Sequence, residues 1–464
     1  MLAPLVETWD DDVPAVSTDP LGFPRYADQL ARAGGRESVV TGRTAAYALV
    51  EGCFDVLGGS MGAVHGERVV RAFDRAASLR LPVVVVSTSG GARMQEGMVS
   101  LIQMARTASA SRRHAAAGLL QLGVYRAPTT GGVFASYASL VDARCASPGA
   151  TVGFAGPRVV EQTLGAPLPD GSHTAESAFA AGLVDAVVPV DDQATWVDAA
   201  LGLRDAPLPP PPRLGDWPGH GRPITQSRDV RASAWDEVLA ARAPSRPTGI
   251  DWAARLCASW TELHSTDPTV RAGLATFEGQ RVVVVASDRY AADGRPTPAG
   301  FRLAQRAFGL AARLALPVVT FVDTPGAHPG AQSEADGVAG EIARTFGAMA
   351  TLPVPSVSVC VGEGGSGGAL AMAYADRLLI QEHAIFSVIA PEGAAAILER
   401  DAGKAPVLAD RLKLTSSDLL QLGIVDAIAP EDDLRAAVVD AFATARVGDR
   451  DRRFDEATMR ALRS

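Results

Sequence analysis

Two short runs of β-branched residues, Val83–Ser87 and Val318–Asp323, are apolar at consecutive positions rather than alternating. That pattern predicts strands buried on both faces. Each run follows a stretch with helical spacing of its apolar residues, Glu67–Leu79 and Pro298–Leu314, and each ends in a glycine-containing turn. A third run, Val357–Val361, leads through Gly362 into EGGSGG and then the helix-forming ALAMAYA. Strand, glycine turn and helix in repeated succession predict an α/β fold. Its sheet should be mostly parallel, with functional sites at the C-terminal ends of the strands.

The same pattern occurs twice. LPVVVVSTSGG at 81–91 answers LPVVTFVDTPG at 316–326, an offset of 235 residues. TTGGVFASYASLVDAR around Gly131-Gly132 answers GSGGALAMAYADRLL around Gly367-Gly368 at 236, and Pro157 answers Pro391 at 234. GLVDAVVP at Gly182–Pro189 answers GIVDAIAP at Gly423–Pro430 at 241. Four matches in one order at nearly one offset make the chain two copies of one domain. Between them, PLPPPPRLGDWPGHGRP cannot continue a helix or a central strand and predicts a stiff, extended linker. The expected boundaries are 1–205 for the first domain, 206–230 for the linker and 231–464 for the second.

Composition narrows the function. The 464 residues are 47% hydrophobic and 20% charged, as in folded globular chains. A net charge of −9 argues against a general nucleic-acid binder. Lys404 and Lys413 are the only lysines, so an anionic ligand would be met by arginine or by helix N-termini. No apolar stretch approaches the roughly 18–20 residues of a membrane span. The acidic start MLAPLVETWDDDVP is not a secretory signal, so no membrane association and a cytoplasmic location are expected. Cys53, Cys145, Cys257 and Cys360 are dispersed without a C-x-x-C pair, and no HExxH or carboxylate-rich run appears, so no metal site is expected.

The chemistry concentrates in Gly131-Gly132 and Gly367-Gly368, each opening a helix of small residues. The unpaired N–H groups of a first helical turn point outward at its positive dipole end, and glycine lets a ligand approach them. Such groups can form an oxyanion hole. One glycine pair alone would more often serve helix–strand packing; its presence in both copies favours a functional role. Gly364-x-Ser366-x-Gly368 also fits a hydrolase nucleophile elbow, but only His383 and Asp376 follow in the required region, too little for a triad. Gly362-x-Gly364-x-x-Gly367 spells a dinucleotide fingerprint that the other copy lacks. His65 and His328 adjoin glycine motifs and read as surface turn residues. An enzyme without an evident side-chain base points to backbone donors, with a cofactor taking the proton.

At these residues a family resemblance is specific. GGSMGAVHGERVVRAFDRA, STSGGARMQEGMVSLIQMARTA, TTGGVFASYASL and VGFAGPRVVEQT closely resemble the β subunit of bacterial acetyl-CoA carboxylase carboxyltransferase. RAPSRPTGIDW, FVDTPGAHPG, VGEGGSGGALAMAYADRLLI and FSVIAPEGAAAIL resemble its α subunit. The likeness covers about 20–190 and 240–430, in the order β then α.

The resemblance implies two tandem crotonase (ClpP)-like domains: a β-like acyl-CoA side and an α-like biotin side. It implies a site formed between the first half of one chain and the second half of a partner copy, hence at least a homodimer. Gly131 and Gly132 would hold the enolate oxygen of an acyl thioester, and Gly367 and Gly368 the ureido oxygen of biotin. Gly90, Gly91, Ala92 and Arg93 would line the acyl-CoA pocket with Arg158, and Pro325, Gly326, Ala390 and Pro391 the biotin pocket. Biotin would arrive on a separate biotin carboxyl carrier protein charged by a biotin carboxylase; this chain has no Met-Lys carrier signature. The coenzyme A thioester is then a substrate, and carboxybiotin gives up CO2 to its α carbon. Three departures stand out: the four-cysteine zinc ribbon usual in β subunits is absent, His328 replaces a Tyr, and Ala390 replaces a Ser. The acyl group therefore stays open. The competing functions are a malonyl-type thioester decarboxylase or other crotonase-type lyase, and a non-catalytic scaffold.

Overall fold

The computed structural model describes residues 2–19, 21–206 and 233–462, with the side chains of Arg158 and Leu164 also outside the description. Apart from Ala206, the expected linker lies outside these residues. The chain forms two compact units, Met1–Arg204 and Asp205–Ser464.

Each unit is an eight-stranded α/β layer with the same strand order. In the first unit, Glu7–Thr8, Val39–Arg43 and Ala48–Gly52 run antiparallel, and Val83–Ser89, Gln121–Thr130, Ala143–Ala146 and Ala186–Val187 continue the sheet in parallel. In the second, Ser259–Leu263, Val270–Phe277 and Gln280–Ser287 run antiparallel before Val318–Thr324, Ser356–Gly365, Arg377–Gln381 and Ala427–Ala429 continue in parallel. A short strand then pairs with the far end of the longest one: Val152–Gly153 in the first unit, Ile385–Ser387 in the second. The two tandem α/β domains expected from the repeat are present.

Val83–Ser89 and Val318–Thr324 are buried at every position, which explains why their sequences do not alternate. The helix Ala63–Ser78 turns Val69, Ala72, Phe73 and Ala76 into the first core, at the spacing of one helical face. Pro298–Leu314 starts with its proline at the first turn, where the missing N–H costs nothing.

One expectation shifts. The strand predicted over Val357–Val361 runs to Gly365, because these glycines are paired strand residues rather than a loop. A methyl at Gly362 would lie 2.4 Å from Asp323 Oδ1, and one at Gly364 2.3 Å from a Phe386 ring carbon. His65 is likewise not a surface turn residue: it is buried within Ala63–Ser78. No described helix is long and apolar enough to cross a membrane.

Candidate active site

In the first unit, adjacent parallel strands deliver two turns to one place. Val83–Ser89 ends in Gly90-Gly91-Ala92-Arg93, and Gln121–Thr130 ends in the one-turn helix Gly131–Phe134. Their backbones touch. Gly131 has φ +63°, and a methyl on it would lie 2.6 Å from Gly91 Cα. A methyl on Gly132 would lie 3.3 Å from Ala92 N. Only glycine permits both the left-handed conformation and this approach.

Accounting for the amides separates scaffolding from free donors. Gly90 N–H donates to Gly58 O (3.0 Å), Gly91 N–H to Ser89 Oγ (3.0 Å) and Arg93 N–H to Met61 O (2.9 Å). Met61 N–H in turn donates to Gly91 O (2.8 Å). Gly131 N–H donates to Phe154 O (2.8 Å), so Gly131 shapes the turn rather than serving a ligand. Ala92 N–H finds no acceptor among the described residues, and Gly132 N–H lies in a first helical turn, where the helix supplies none. A methyl on Gly91 would lie 3.1 Å from Gly132 N, so the two turns bring these amides to one place.

The second unit repeats the arrangement. Val318–Thr324 delivers Pro325-Gly326-Ala327-His328, and Ser356–Gly365 delivers the helix Ser366–Ala373. Gly326 N–H donates to Thr324 Oγ1 (3.1 Å) and His328 N–H to Pro296 O (2.8 Å). Ala327 N–H has no acceptor among the described residues, and a methyl on Gly368 would lie 2.7 Å from that nitrogen. Gly367 and Gly368 occupy the first turn of their helix. Strand pairing corrects the sequence register by one residue. Ser89 pairs with Thr129 and Thr324 with Gly364, an offset of 235, so the counterpart of Gly131 is Ser366. Both residues are left-handed, with φ +63° and +57°.

Ala390 and Pro391 open the helix Pro391–Leu398, a few residues beyond the pairing of Ser387 with Gly365. Arg242 holds this region by donating to Glu363 (2.7 and 2.9 Å) and Glu392 (2.6 Å). Arg158 lies on the helix Pro157–Leu164, its side chain outside the described residues. The exposed Ser366 has the backbone of a nucleophile elbow but no triad. His383 Nδ1 pairs with Glu237 (2.9 Å), and the buried Asp376 accepts from Arg450 (2.9 Å).

The first unit matches the family described as "Carboxyl transferase domain" over residues 25–195, and the second matches "Acetyl co-enzyme A carboxylase carboxyltransferase-like" over 225–450. The beta/alpha carboxyl transferase subunits of acetyl-coenzyme A carboxylase from Parafrankia sp. are 41% identical over 475 residues, covering 93% of this chain and 77% of the relative. A probable biotin-dependent acyl-coenzyme A carboxylase beta3 subunit from Mycobacterium tuberculosis is 42% identical, covering 89% and 85%. The chain belongs to the biotin-dependent carboxyltransferases. Among solved structures, transcarboxylase 12S superposes with a TM-score of 0.73 at 22% identity, covering 88% of this chain and 82% of that one. A single-chain long-chain acyl-CoA carboxylase also gives 0.73, at 18% identity, covering 95% of this chain and 45% of that one. Each unit has the crotonase-like fold of these enzymes.

In this carboxyltransferase Arg93 does not face the turn's open side. Its guanidinium is fully buried and donates to Ser17 Oγ (2.8 Å), Glu96 Oε1 (2.9 Å), Ser38 Oγ (2.9 Å), Ser60 O (2.8 Å) and Glu37. Burial alone would raise the Glu37 carboxyl; the Arg93 contact outweighs it and holds the group at about 2. Glu96 also accepts from Tyr26 Oη (2.7 Å) and from Ala63 N–H (2.6 Å). Arg93 therefore ties the residue next to Ala92 to the segments around Ser17, Glu37-Ser38 and Ser60, and through Glu96 to the first residues of the helices Tyr26–Ala33 and Ala63–Ser78. Arg93→Met is expected to lose about 3–5 kcal/mol of stability in urea unfolding, because Glu37 and Glu96 are left buried without their cation.

Sequence reasoning missed Ala327, although the repeat signals it as the counterpart of Ala92. It also missed Asp323, a lone carboxylate inside an apolar run. Asp323 is wholly buried, with Oδ1 accepting from Glu363 N–H (3.0 Å), Oδ2 without a partner among the described residues and Arg289 3.5 Å away. Burial, against the pull of Arg289, raises its carboxyl to about 6. His65 is held between Ser38 Oγ (2.8 Å) and Tyr137 Oη (3.2 Å), and burial lowers it to about 3, so it stays neutral.

Proposed function

We propose that this carboxyltransferase moves a carboxyl group from carboxybiotin to the α carbon of an acyl-CoA, each unit stabilising one of the two oxygens that gain negative charge. The observation that carries the reading is the repeated pair of adjacent amides at touching glycine turns. Ala92 and Gly132 N–H hold the thioester oxygen as it becomes an enolate oxygen. Ala327 N–H, with Gly367 and Gly368, holds the ureido oxygen. Gly90, Gly91 and Gly131 set the first turn, and Pro325, Gly326 and Ser366 set the second. Biotin, brought by a separate carrier protein that a biotin carboxylase charges, supplies the CO2 and takes up the α-proton. The glycines at Gly131, Gly132 and Gly368 let each helix start approach the turn that carries the free alanine amide, where a β-carbon would meet that turn's backbone. A donor pair aimed at developing charge lowers the barrier by about 3–4 kcal/mol per donor.

In this reading residues 1–205 form the acyl-CoA side and 231–464 the biotin side, in the cytoplasm. At least two copies assemble, so that a turn of each kind meets one substrate pair. Support comes from exposed apolar side chains after the first turn, Met94, Met98, Leu101 and Ile102, and in the second unit Val388, next to the paired Ser387, with Ile397 and Leu398 at the end of the helix Pro391–Leu398.

With biocytin and malonyl-CoA, the purified protein should form carboxybiocytin and acetyl-CoA in the reverse direction. Malonyl-CoA turnover indifferent to biocytin would replace the reading with a decarboxylase. No turnover and no binding of any acyl-CoA would replace it with a scaffold.

A further inference from the structure

The residue after the free alanine amide differs between the units, and the difference has chemical content. Arg93 and His328 occupy the same place, 235 residues apart, each donating its backbone N–H to the residue opposite, Met61 O or Pro296 O. The Arg93 side chain is buried and saturated. The His328 side chain is half-buried, and among the described residues only one of its ring nitrogens is engaged.

That engagement fixes the tautomer. Gly330 N–H donates to His328 Nδ1 (3.2 Å), and Ser333 Oγ lies 3.0 Å from the same nitrogen. A backbone N–H can only donate, so Nδ1 is an acceptor and the neutral ring carries its hydrogen on Nε2. Nε2–H finds no partner among the described residues. The ring also lies against Gly330: a methyl there would come within 2.4 Å of Cε1. The imidazole is thus clamped at one edge, one residue from the Ala327 amide, with a single oriented donor to spare.

We propose that His328 Nε2–H is a third donor on the second-unit turn, binding an oxygen of the carboxyl group borne by the biotin ring nitrogen. The inference rests on the biotin-side reading above. There the turn amides already take the ureido oxygen. The acceptor left for a neighbouring donor is then the carboxyl group being transferred, which adjoins that oxygen in the ligand. The first unit, whose acyl thioester carries no such group before transfer, has its equivalent residue turned into the interior.

The test compares two neutral probes that differ only in that group, biotin methyl ester and its N1-methoxycarbonyl derivative, by calorimetry on the full-length protein. His328→Asn removes the Nε2 donor, and Gly330→Ala displaces the ring while keeping the histidine. Both should weaken the methoxycarbonyl derivative about five- to tenfold and leave biotin methyl ester unchanged. His328→Gln, which can place an N–H near the Nε2 position, should recover most of the loss. Nitrogen-15 spectra of the wild type should show His328 as the Nε2–H tautomer. Equal weakening of both probes, wild-type affinity in His328→Asn, or an Nδ1–H tautomer would each overturn the proposal. A wild-type protein that binds neither probe while still binding acyl-CoA would sink the biotin-side reading itself.

Discussion

Replacing Gly131 by alanine should lower carboxylation turnover by about two to three orders of magnitude while the protein stays folded. The residue donates nothing to a ligand, since its N–H is committed to Phe154 O. Its contribution is conformational: φ is +63°, and the added methyl would sit 2.6 Å from Gly91 Cα and 3.0 Å from Gly90 O. Those atoms belong to the turn that carries the Ala92 amide, so relief of the clash moves one donor away from the other. Oxyanion stabilisation depends on placement to a fraction of an ångström, and a displaced donor is nearly a lost one. Gly365→Ala should act likewise on the biotin side, where the methyl would lie 2.2 Å from the Pro325 carbonyl carbon. Gly347→Ala, at an exposed helical position with no atom within 4 Å of the new carbon, is the matched control and should leave turnover unchanged. Reverse carboxylation of biocytin, with circular dichroism to confirm folding, reads the effect. A folded Gly131→Ala enzyme within threefold of the wild type would show that the turns need not touch.

The legible parts of this molecule were those written as repetition and periodicity. Buried valine runs marked the central strands, helical spacing marked Pro298–Leu314 to the residue, and offsets near 235 marked two sheets of one design. Glycine spacing pointed to the turns because positive φ and backbone contact demand that residue. What could not be read was which amide in each turn is free. Gly131 and Gly132 look equivalent as letters, yet the carbonyl of Phe154, next to a strand residue, accepts the N–H of one of them. The true partner of Gly131 was hidden because Ser366 tolerates a left-handed backbone that letter matching assigns to glycine. The resemblance implied that Arg93 lines the acyl-CoA pocket; the fold instead buries its guanidinium against Glu37, from the segment that leads into a distant strand. Asp323 and Ala327 carry no local signature; their importance comes from a neighbouring strand and from the other copy.

Asp323→Asn should stabilise the protein at neutral pH, an unusual outcome for a buried charged residue beside a site. Burial raises the carboxyl from its ordinary 3.8 to about 6. Below about pH 4 both folded and unfolded chains hold the proton, and the residue contributes no pH-dependent difference. Between about 4 and 6 the unfolded chain releases it while the folded chain keeps it, so stability falls as pH rises. Above 6 the folded protein bears the full cost of a buried carboxylate with one unpartnered oxygen, about 3 kcal/mol. Asparagine removes that slope and should gain about 1–3 kcal/mol at pH 7.5, with little gain at pH 4. Urea unfolding at the two pH values measures both. Asparagine keeps an acceptor for Glu363 N–H, which pins the end of the strand leading into Ser366, so turnover should hold within a few-fold. Asp323→Ala leaves that N–H buried without a partner, costing about 1–3 kcal/mol, and loosens the strand end. It should lose turnover where the asparagine variant does not. An Asp323→Asn protein less stable than wild type at pH 7.5 would mean that Arg289, 3.5 Å away, pairs with the carboxylate strongly enough to outweigh burial.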